Sequence, residues 1–282
     1  MRDTILFGDC RKTIPTITEP VKMCVTSPPY YGLRDYGGEE NQIGMEESPE
    51  KYVEQLVNVF RSVREVLTDD GTLWLNIGDS YYNYRSDGNY PKQTVSKTNQ
   101  DLPSFSPVRG NKLEGYKSKD LIGIPWLLAF ALRKDGWYLR QDIIWNKPNP
   151  MPESVKDRCT KSHEYIFLLS KSKNYYYDNE SIKEPTKEGG TTKNKRSVWS
   201  VNKKPYKGAH FATFPPELIE PCIKAGSQKG DIILDPFIGS GTTGMVSKSL
   251  GRHYIGCELH QSYNDLIQNR VSQYTINLED FV

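Results

Sequence analysis

The chain has few of the features that mark a protein for export, for a membrane or for a metal. Its five cysteines (Cys10, Cys24, Cys159, Cys222, Cys257) are scattered over 282 residues, with no CxxC pair among them. That excludes a disulfide framework and a structural zinc site of paired cysteines, and fits a reducing compartment. No cluster of His and Cys points to a metal. The most apolar run, Ile122 to Leu132, falls well short of the roughly 20 residues that span a bilayer. The first ten residues are too poor in apolar side chains for a signal peptide. The expectation is a soluble, cytoplasmic protein. Charge of one sign is lacking as well: 37 Lys and Arg against 35 Asp and Glu leave a net +2. A nucleic-acid footprint must therefore be local. No internal repeat is visible.

What the chain does have is an alternation of short apolar runs with helical patterns. Runs at Thr4–Phe7, Met23–Thr26, Thr72–Ile77, Asp142–Trp145, Tyr165–Leu169, Asp231–Leu234 and His253–Cys257 predict seven strands. Between them, Tyr52, Leu56, Val59, Phe60, Val63, Val66 and Leu67 recur at helical spacing from Pro49 onward, ended by Asp69-Asp70-Gly71. Further helices are predicted over Pro125–Leu132, Glu217–Ala225 and Ser262–Tyr274. This order predicts an α/β fold, a doubly wound and mostly parallel seven-stranded sheet, with residues 1–282 forming a single domain.

Two stretches break the pattern. Residues 80–120 are polar, rich in Ser, Asn and Gly. Residues 171–208 hold ten cations and four anions, a balance of +6, with Tyr175, Tyr176, Tyr177, Trp199 and Tyr206 interleaved. Long aperiodic loops in a compact domain are usually functional or disordered.

Two short motifs carry chemistry. Ser27-Pro28-Pro29-Tyr30 follows the second apolar run. Successive prolines fix φ, remove two N–H donors and push the preceding residues into extended backbone. The outcome is a stiff loop offering carbonyl acceptors, a hydroxyl at its start and an aromatic face at its end. That suits an amino group on a flat ring. The same tetrapeptide is also an ordinary way for a strand to leave a sheet.

The second motif is Asp235-Pro236-Phe237-Ile238-Gly239-Ser240-Gly241-Thr242-Thr243, which reads as strand, glycine turn and helix start. Ligands of open parallel sheets bind at the carboxyl ends of strands, where Gly239 and Gly241 admit close approach. The next strand ends at Glu258, about 20 residues on, placed to accept hydrogen bonds from ribose hydroxyls. No Lys follows the glycines, so a phosphate loop is excluded.

Together, in this order, the two motifs closely resemble those of the S-adenosylmethionine-dependent DNA amino-methyltransferases, and the resemblance covers nearly the whole chain. The proline motif stands about 205 residues before the glycine motif, as in the circularly permuted β class, so the resemblance implies a permuted Rossmann-like methyltransferase fold. Thr4–Phe7 would then supply the missing third strand of the cofactor half. By the same resemblance, Ser27, Pro28, Pro29 and Tyr30 are catalytic, and Tyr30 would stack on a base flipped out of the duplex. The cofactor would contact Asp9 and Cys10, the segment His210, Phe211, Ala212 and Thr213, the motif residues Asp235, Pro236, Phe237, Gly239, Ser240, Gly241, Thr242 and Thr243, and Glu258. Phe211 replaces a proline frequent in the family.

Ser at the head of the tetrapeptide usually accompanies cytosine N4 in this family, and Asp adenine N6. The resemblance thus implies cytosine-N4 methylation, with adenine N6 as the alternative and a catalytically inactive DNA-binding subunit as a different class. It implies double-stranded DNA as partner and allows a cognate restriction endonuclease, in a bacterial, archaeal or phage setting, as monomer or homodimer. The inserts 80–120 and 171–208 are the candidate recognition regions, with Lys193, Lys195, Arg196, Trp199, Lys203 and Lys204 as candidate DNA contacts. Asp79, after the third strand, is equally a pocket residue or a turn partner of Ser80.

Overall fold

A computed structural model describes residues 1–33, 42–82, 112–186, 189–203 and 214–272. In chain order the elements are β1 (Thr4–Phe7), α1 (Cys10–Thr13), β2 (Val21–Thr26), α2 (Pro49–Val66), β3 (Leu67–Ile77), α3 (Ile124–Lys134), β4 (Tyr138–Asn146), β5 (His163–Ser170), β6 (Glu184–Pro185), β7 (Thr192–Lys193), β8 (Val198–Ser200), α4 (Pro216–Gly226), β9 (Ile232–Asp235), α5 (Thr242–Ser249), β10 (His253–Glu258) and α6 (Asn264–Ser272). All seven predicted strands enter one sheet of order β1-β10-β9-β2-β3-β5-β4-β8. Only β5 runs against the others, pairing antiparallel with both β3 and β4.

Alternation along the central strands builds a core on each face. Leu73 and Leu75 of β3 join Cys24, Phe167, Leu169 and Leu234 under α2 and α3. Trp74 points the other way, with Met23, Val25, Leu168 and Ile233, under α4 and α5. Helix α2 shows how local sequence sets an element. Ser48 caps it by accepting from the Lys51 N–H, Pro49 fills the first turn, and Tyr52, Leu56, Val59, Phe60 and Val63 form its buried stripe. The cap contributes about 1 kcal/mol. The helix stops at Val66, and β3 begins at once. The turn expected at Asp69-Asp70-Gly71 is instead an irregularity inside the strand, where the register against β2 shifts. A Cβ on Gly71 would stand 2.9 Å from the Thr68 carbonyl oxygen, so the chain needs glycine there.

Strand β1 pairs in parallel with β10 at the sheet edge, Phe7 beside Glu258. The first strand of the sequence thus completes the half that the last strands begin. At the sheet centre β2 pairs in parallel with β9, Cys24 opposite Leu234. The helix after β2 packs on one face and the helix after β9 on the other. This is a topological switch point, where an open sheet leaves a crevice beyond its strand ends.

The basic stretch 171–208 corrects the expectation of an aperiodic loop. It carries the β6–β7 hairpin and the eighth strand, β8, parallel to β4. Several of its aromatics pack against the fold: Tyr177, partly exposed, stacks on Trp74 at 6.2 Å, Lys22 lies over Tyr176, and Trp199 is buried, while Tyr206 lies outside the described residues. Of residues 80–120, only the two ends are described. They meet as a short antiparallel ribbon, with Tyr81 bridged to Leu121. Among the described residues, no helix is long and apolar enough to cross a membrane.

Candidate active site

The two motifs are distant in sequence, but they follow the adjacent strands β2 and β9. One cavity lies between them, walled by Ser27, Pro28, Pro29 and Tyr30 on one side and by Asp235, Pro236, Phe237, Gly239, Ser240 and Thr242 on the other. Asp9 and Cys10, after β1, and Glu258, ending β10, close its far end. Gly241 caps α5 with φ +84°, a conformation suited to glycine. Thr243 sits behind the wall, fully buried. The segment His210, Phe211, Ala212 and Thr213, like Lys204, lies outside the described residues; Phe214, next along, lines the cavity.

Asp235 holds the two loops together. Thr26, the last residue of β2, donates to its Oδ1 at 2.6 Å, and Thr243 of α5 donates to Oδ2 at 2.6 Å. The Phe237 N–H adds a bond to Oδ1 at 3.0 Å. The carboxyl is 1% exposed. Burial pushes its pKa up to about 6, against these three donors, which pull it down. Its role is therefore to fasten the proline loop, the glycine loop and the start of α5. Behind the glycine loop, the buried Arg270 of α6 donates to the Ser240 hydroxyl.

Glu258 faces the cavity differently. Its Oε1 accepts from the His260 N–H at 3.0 Å. Burial raises its pKa to about 7, opposed by backbone donors that include Gly239 and His260. A carboxyl so placed can accept from a vicinal diol in the cavity. Asp9 caps α1, and Arg11 grips it through the backbone N–H and the guanidinium, Nη2 to Oδ2 at 2.8 Å. Burial pushes the Asp9 carboxyl up, but the Arg11 bonds and charge prevail and hold it below the usual carboxylate range. Cys10 is buried, which raises its thiol pKa and keeps it neutral.

The two prolyl carbonyls of the loop differ in their partners. Tyr52 of α2 donates its hydroxyl to the Pro29 carbonyl at 2.7 Å. Among the described residues, nothing donates to the Pro28 carbonyl, and Pro28 lines the cavity beside Ser27. The Tyr30 hydroxyl donates to Glu164 Oε2 at 2.7 Å. Lys147 of β4–β5 bonds the other oxygen of that carboxylate, and Asn76 of β3 adds a bond at 3.3 Å. Burial and the Glu164 charge raise the Tyr30 pKa strongly, while a hydrogen bond with Ser27 works against them. Gly78 leaves the space for this ring: a Cβ there would stand 2.7 Å from Tyr30 Cε2.

On the far side of Tyr30 lies a second, more polar cavity, and Tyr30 and Leu33 line both. Its walls include Lys147, Glu164, Asp79, Lys161 and Met151. Asp79 serves both of its expected roles. Its Oδ1 accepts from the N–H groups of Ser80, Gly123 and Ile124, holding the turn and capping α3. Its Oδ2 lies 4.0 Å from Lys161 in the second cavity. Sequence reading missed Glu164, Lys147, Asn76 and Gly78. Their one visible signal is polar side chains and a glycine at the ends of apolar strands.

The candidate DNA contacts separate. Trp199 is buried on β8 and donates Nε1 to the Arg196 carbonyl at 2.6 Å, so it is corrected from a base contact to a core residue. Lys195 pairs with Glu184 at 3.1 Å and lies over Trp199. Arg196 is exposed, while Lys193 and Lys203 are half-buried. Among the described residues, no group of three or more His, Cys, Asp or Glu is placed to hold a metal ion.

An open sheet whose glycine loop and acidic strand end share one cavity with a prolyl loop fits the class of transferases that use a nucleoside cofactor. The chain belongs to the DNA methylase family, whose family model matches residues 21–269. It is 52% identical over 276 residues to the Type II methyltransferase M.Cfr9I of Citrobacter freundii, covering 98% of this chain and 89% of that one. It is 53% identical to M.SmaI of Serratia marcescens, covering 95% and 90%. Among solved structures, the fold matches PvuII DNA methyltransferase (cytosine-N4-specific) with TM-score 0.69 at 18% identity, covering 96% of this chain and 86% of that one. It matches M1.HpyAVI in complex with S-adenosylmethionine with TM-score 0.60 at 19% identity, covering 95% and 98%.

Proposed function

We propose that this DNA methyltransferase acts on the exocyclic N4 of cytosine in double-stranded DNA, with the first cavity holding S-adenosylmethionine and the second receiving the flipped base. The observation that carries the proposal is that Pro28 and Ser27 line the cavity and that, among the described residues, nothing donates to the Pro28 carbonyl. The residues present fit the cofactor. Glu258 offers a carboxyl to the ribose, the Gly239–Gly241 turn admits the methionine end, Phe237 and Pro236 give apolar faces, and Asp9 stands at the far end for the adenine amine. Once bound, S-adenosylmethionine supplies a sulfonium methyl open to in-line displacement.

The remaining chemistry belongs to the chain. Cytosine N4 is a poor nucleophile because its lone pair is conjugated with the ring. The Pro28 carbonyl and the Ser27 hydroxyl accept its two N–H bonds, favour a pyramidal nitrogen and aim its lone pair toward the first cavity. Their dipoles also stabilise the positive charge that develops on nitrogen. Positioning supplies much of the acceleration. The Tyr30 ring stands between the cavities, where a flipped base can stack on it. Its hydroxyl bond to Glu164 holds the ring in place.

Residues 1–282 are read as one catalytic unit, with the motif order as the circular permutation of the β class. Regions 80–120 and 171–208 are read as the recognition inserts, with Lys193, Lys195, Arg196 and Lys203 approaching phosphates. The names of the relatives support a role as the modification half of a restriction system, with a cognate endonuclease as partner. The test is transfer of a radiolabelled methyl group to unmethylated genomic DNA, followed by nucleoside analysis. Label in N4-methylcytosine is expected. Label in N6-methyladenine would overturn the cytosine assignment, and no incorporation would leave only a DNA-binding role.

A further inference from the structure

Between β4 and β5 the chain reads Lys147-Pro148-Asn149-Pro150-Met151-Pro152. Three prolines at alternate positions fix their own φ and push Lys147, Asn149 and Met151 toward extended backbone. The segment is anchored at two points just before Met151. Lys147 N–H donates to the Ser162 carbonyl at 2.7 Å, and the Asn149 side chain exchanges two bonds with the Lys203 backbone at 2.8 and 3.1 Å. On this stiff support Met151 is 72% exposed, the most exposed large apolar side chain among the described residues. It also borders the second cavity, which it shares with Tyr30 and Glu164. Lys156, on the same rim, is exposed.

An apolar side chain held out in water on a rigid, lysine-flanked segment costs solvation and conformational freedom without adding to the core. The mouth of a base-receiving cavity gives it a use. We infer that Met151 is the wedge that enters the base stack as the target base leaves it. This inference rests on the base-flipping reading above. An unbranched thioether adapts to either neighbouring base pair, and apolar wedges between base steps are a general way to unstack DNA. Met151 is thus a positioning residue, separate from the groups that touch the amine.

The test uses oligonucleotide duplexes bearing the methylation site found by sequencing modified DNA. One form carries 2-aminopurine at the target position, and a second pair carries the target base either correctly paired or mispaired. Met151→Ala is expected to cut the fluorescence rise on binding about fivefold and methylation of the paired duplex about tenfold, since unstacking costs a few kcal/mol per step. On the mispaired duplex, where the base is already loose, the loss should stay below about twofold. Met151→Leu should restore most of both signals, and the melting temperature of both variants should match wild type. Unchanged flipping by Met151→Ala, or equal losses on paired and mispaired duplexes, would overturn the wedge. A wild-type enzyme that gave no fluorescence rise yet methylated the paired duplex would overturn the base-flipping reading and the wedge with it.

Discussion

Tyr30 can be tested apart from the loop that carries it. Its ring forms a wall of both cavities, while its hydroxyl is committed to Glu164. Tyr30→Phe keeps the ring and frees its edge, so turnover on DNA should fall by about tenfold or less, the worth of one hydrogen bond of roughly 1 kcal/mol. Tyr30→Ala removes the stacking face, so turnover should fall far more, and by much more than cofactor affinity does. Steady-state kinetics beside cofactor titration checks this, and full activity of Tyr30→Ala would end the stacking role. Glu258 gives a prediction in pH. Burial sets its pKa at about 7, whereas accepting from ribose hydroxyls favours the ionised form. Below pH 7 a proton must leave on binding, so affinity for S-adenosylmethionine should fall as pH drops through 7, toward tenfold per unit. Calorimetry in buffers of different ionisation enthalpy should show proton release at pH 6 and little at pH 8. Glu258→Gln should flatten the profile and bind weakly throughout.

At the level of elements, the loops after β2 and β9 stay in register because Thr26 and Thr243 both hold Asp235. Replacing either threonine with valine keeps the shape and removes one donor from a buried carboxyl. The cost should be about 1–3 kcal/mol, read from urea unfolding, with cofactor affinity falling in parallel. The sign with pH follows from the direction of the shift. The folded pKa of Asp235, about 6, lies above the ordinary carboxylate value. Its contribution is therefore complete below the unfolded pKa and is lost as pH rises through 6. Relative to Asp235→Asn, the native chain should gain stability on going from pH 7 to pH 5. The two motifs were legible in sequence because prolines and glycines dictate backbone locally, and the strands because apolar runs announce them. The threonine clamp was not, since nothing in the spacing says that β2 lies beside β9. Glu164 was hidden for a similar reason: β5 brings it to Tyr30 only by running antiparallel between β3 and β4. Strand β8 was missed because three residues inside a lysine-rich stretch give too short a period to read.

For the molecule as a whole, the charge balance limits how DNA can be held. A net +2 cannot generate a broad attractive field, and several cations near the second cavity are already neutralised. Arg158 pairs with Glu153, Lys119 with Asp157 and Lys147 with Glu164. Pairs of this kind exchange one partner for another when a phosphate arrives and so contribute less than an unpaired cation. Lys156 is the exposed cation on that rim outside these pairs. Each neutralised phosphate adds about 0.9 to the slope of log K against log salt. Lys156→Ala should therefore lower the magnitude of that slope by about 1 and weaken binding equally for specific and unrelated duplexes, with turnover at saturating DNA unchanged. Lys119→Ala, which leaves Asp157 unpaired, should shift the slope by less. Fluorescence anisotropy between 50 and 200 mM salt distinguishes the two. An equal change in slope for both variants would mean that the ion pairs open on DNA without cost, and that the rim acts as one cationic surface.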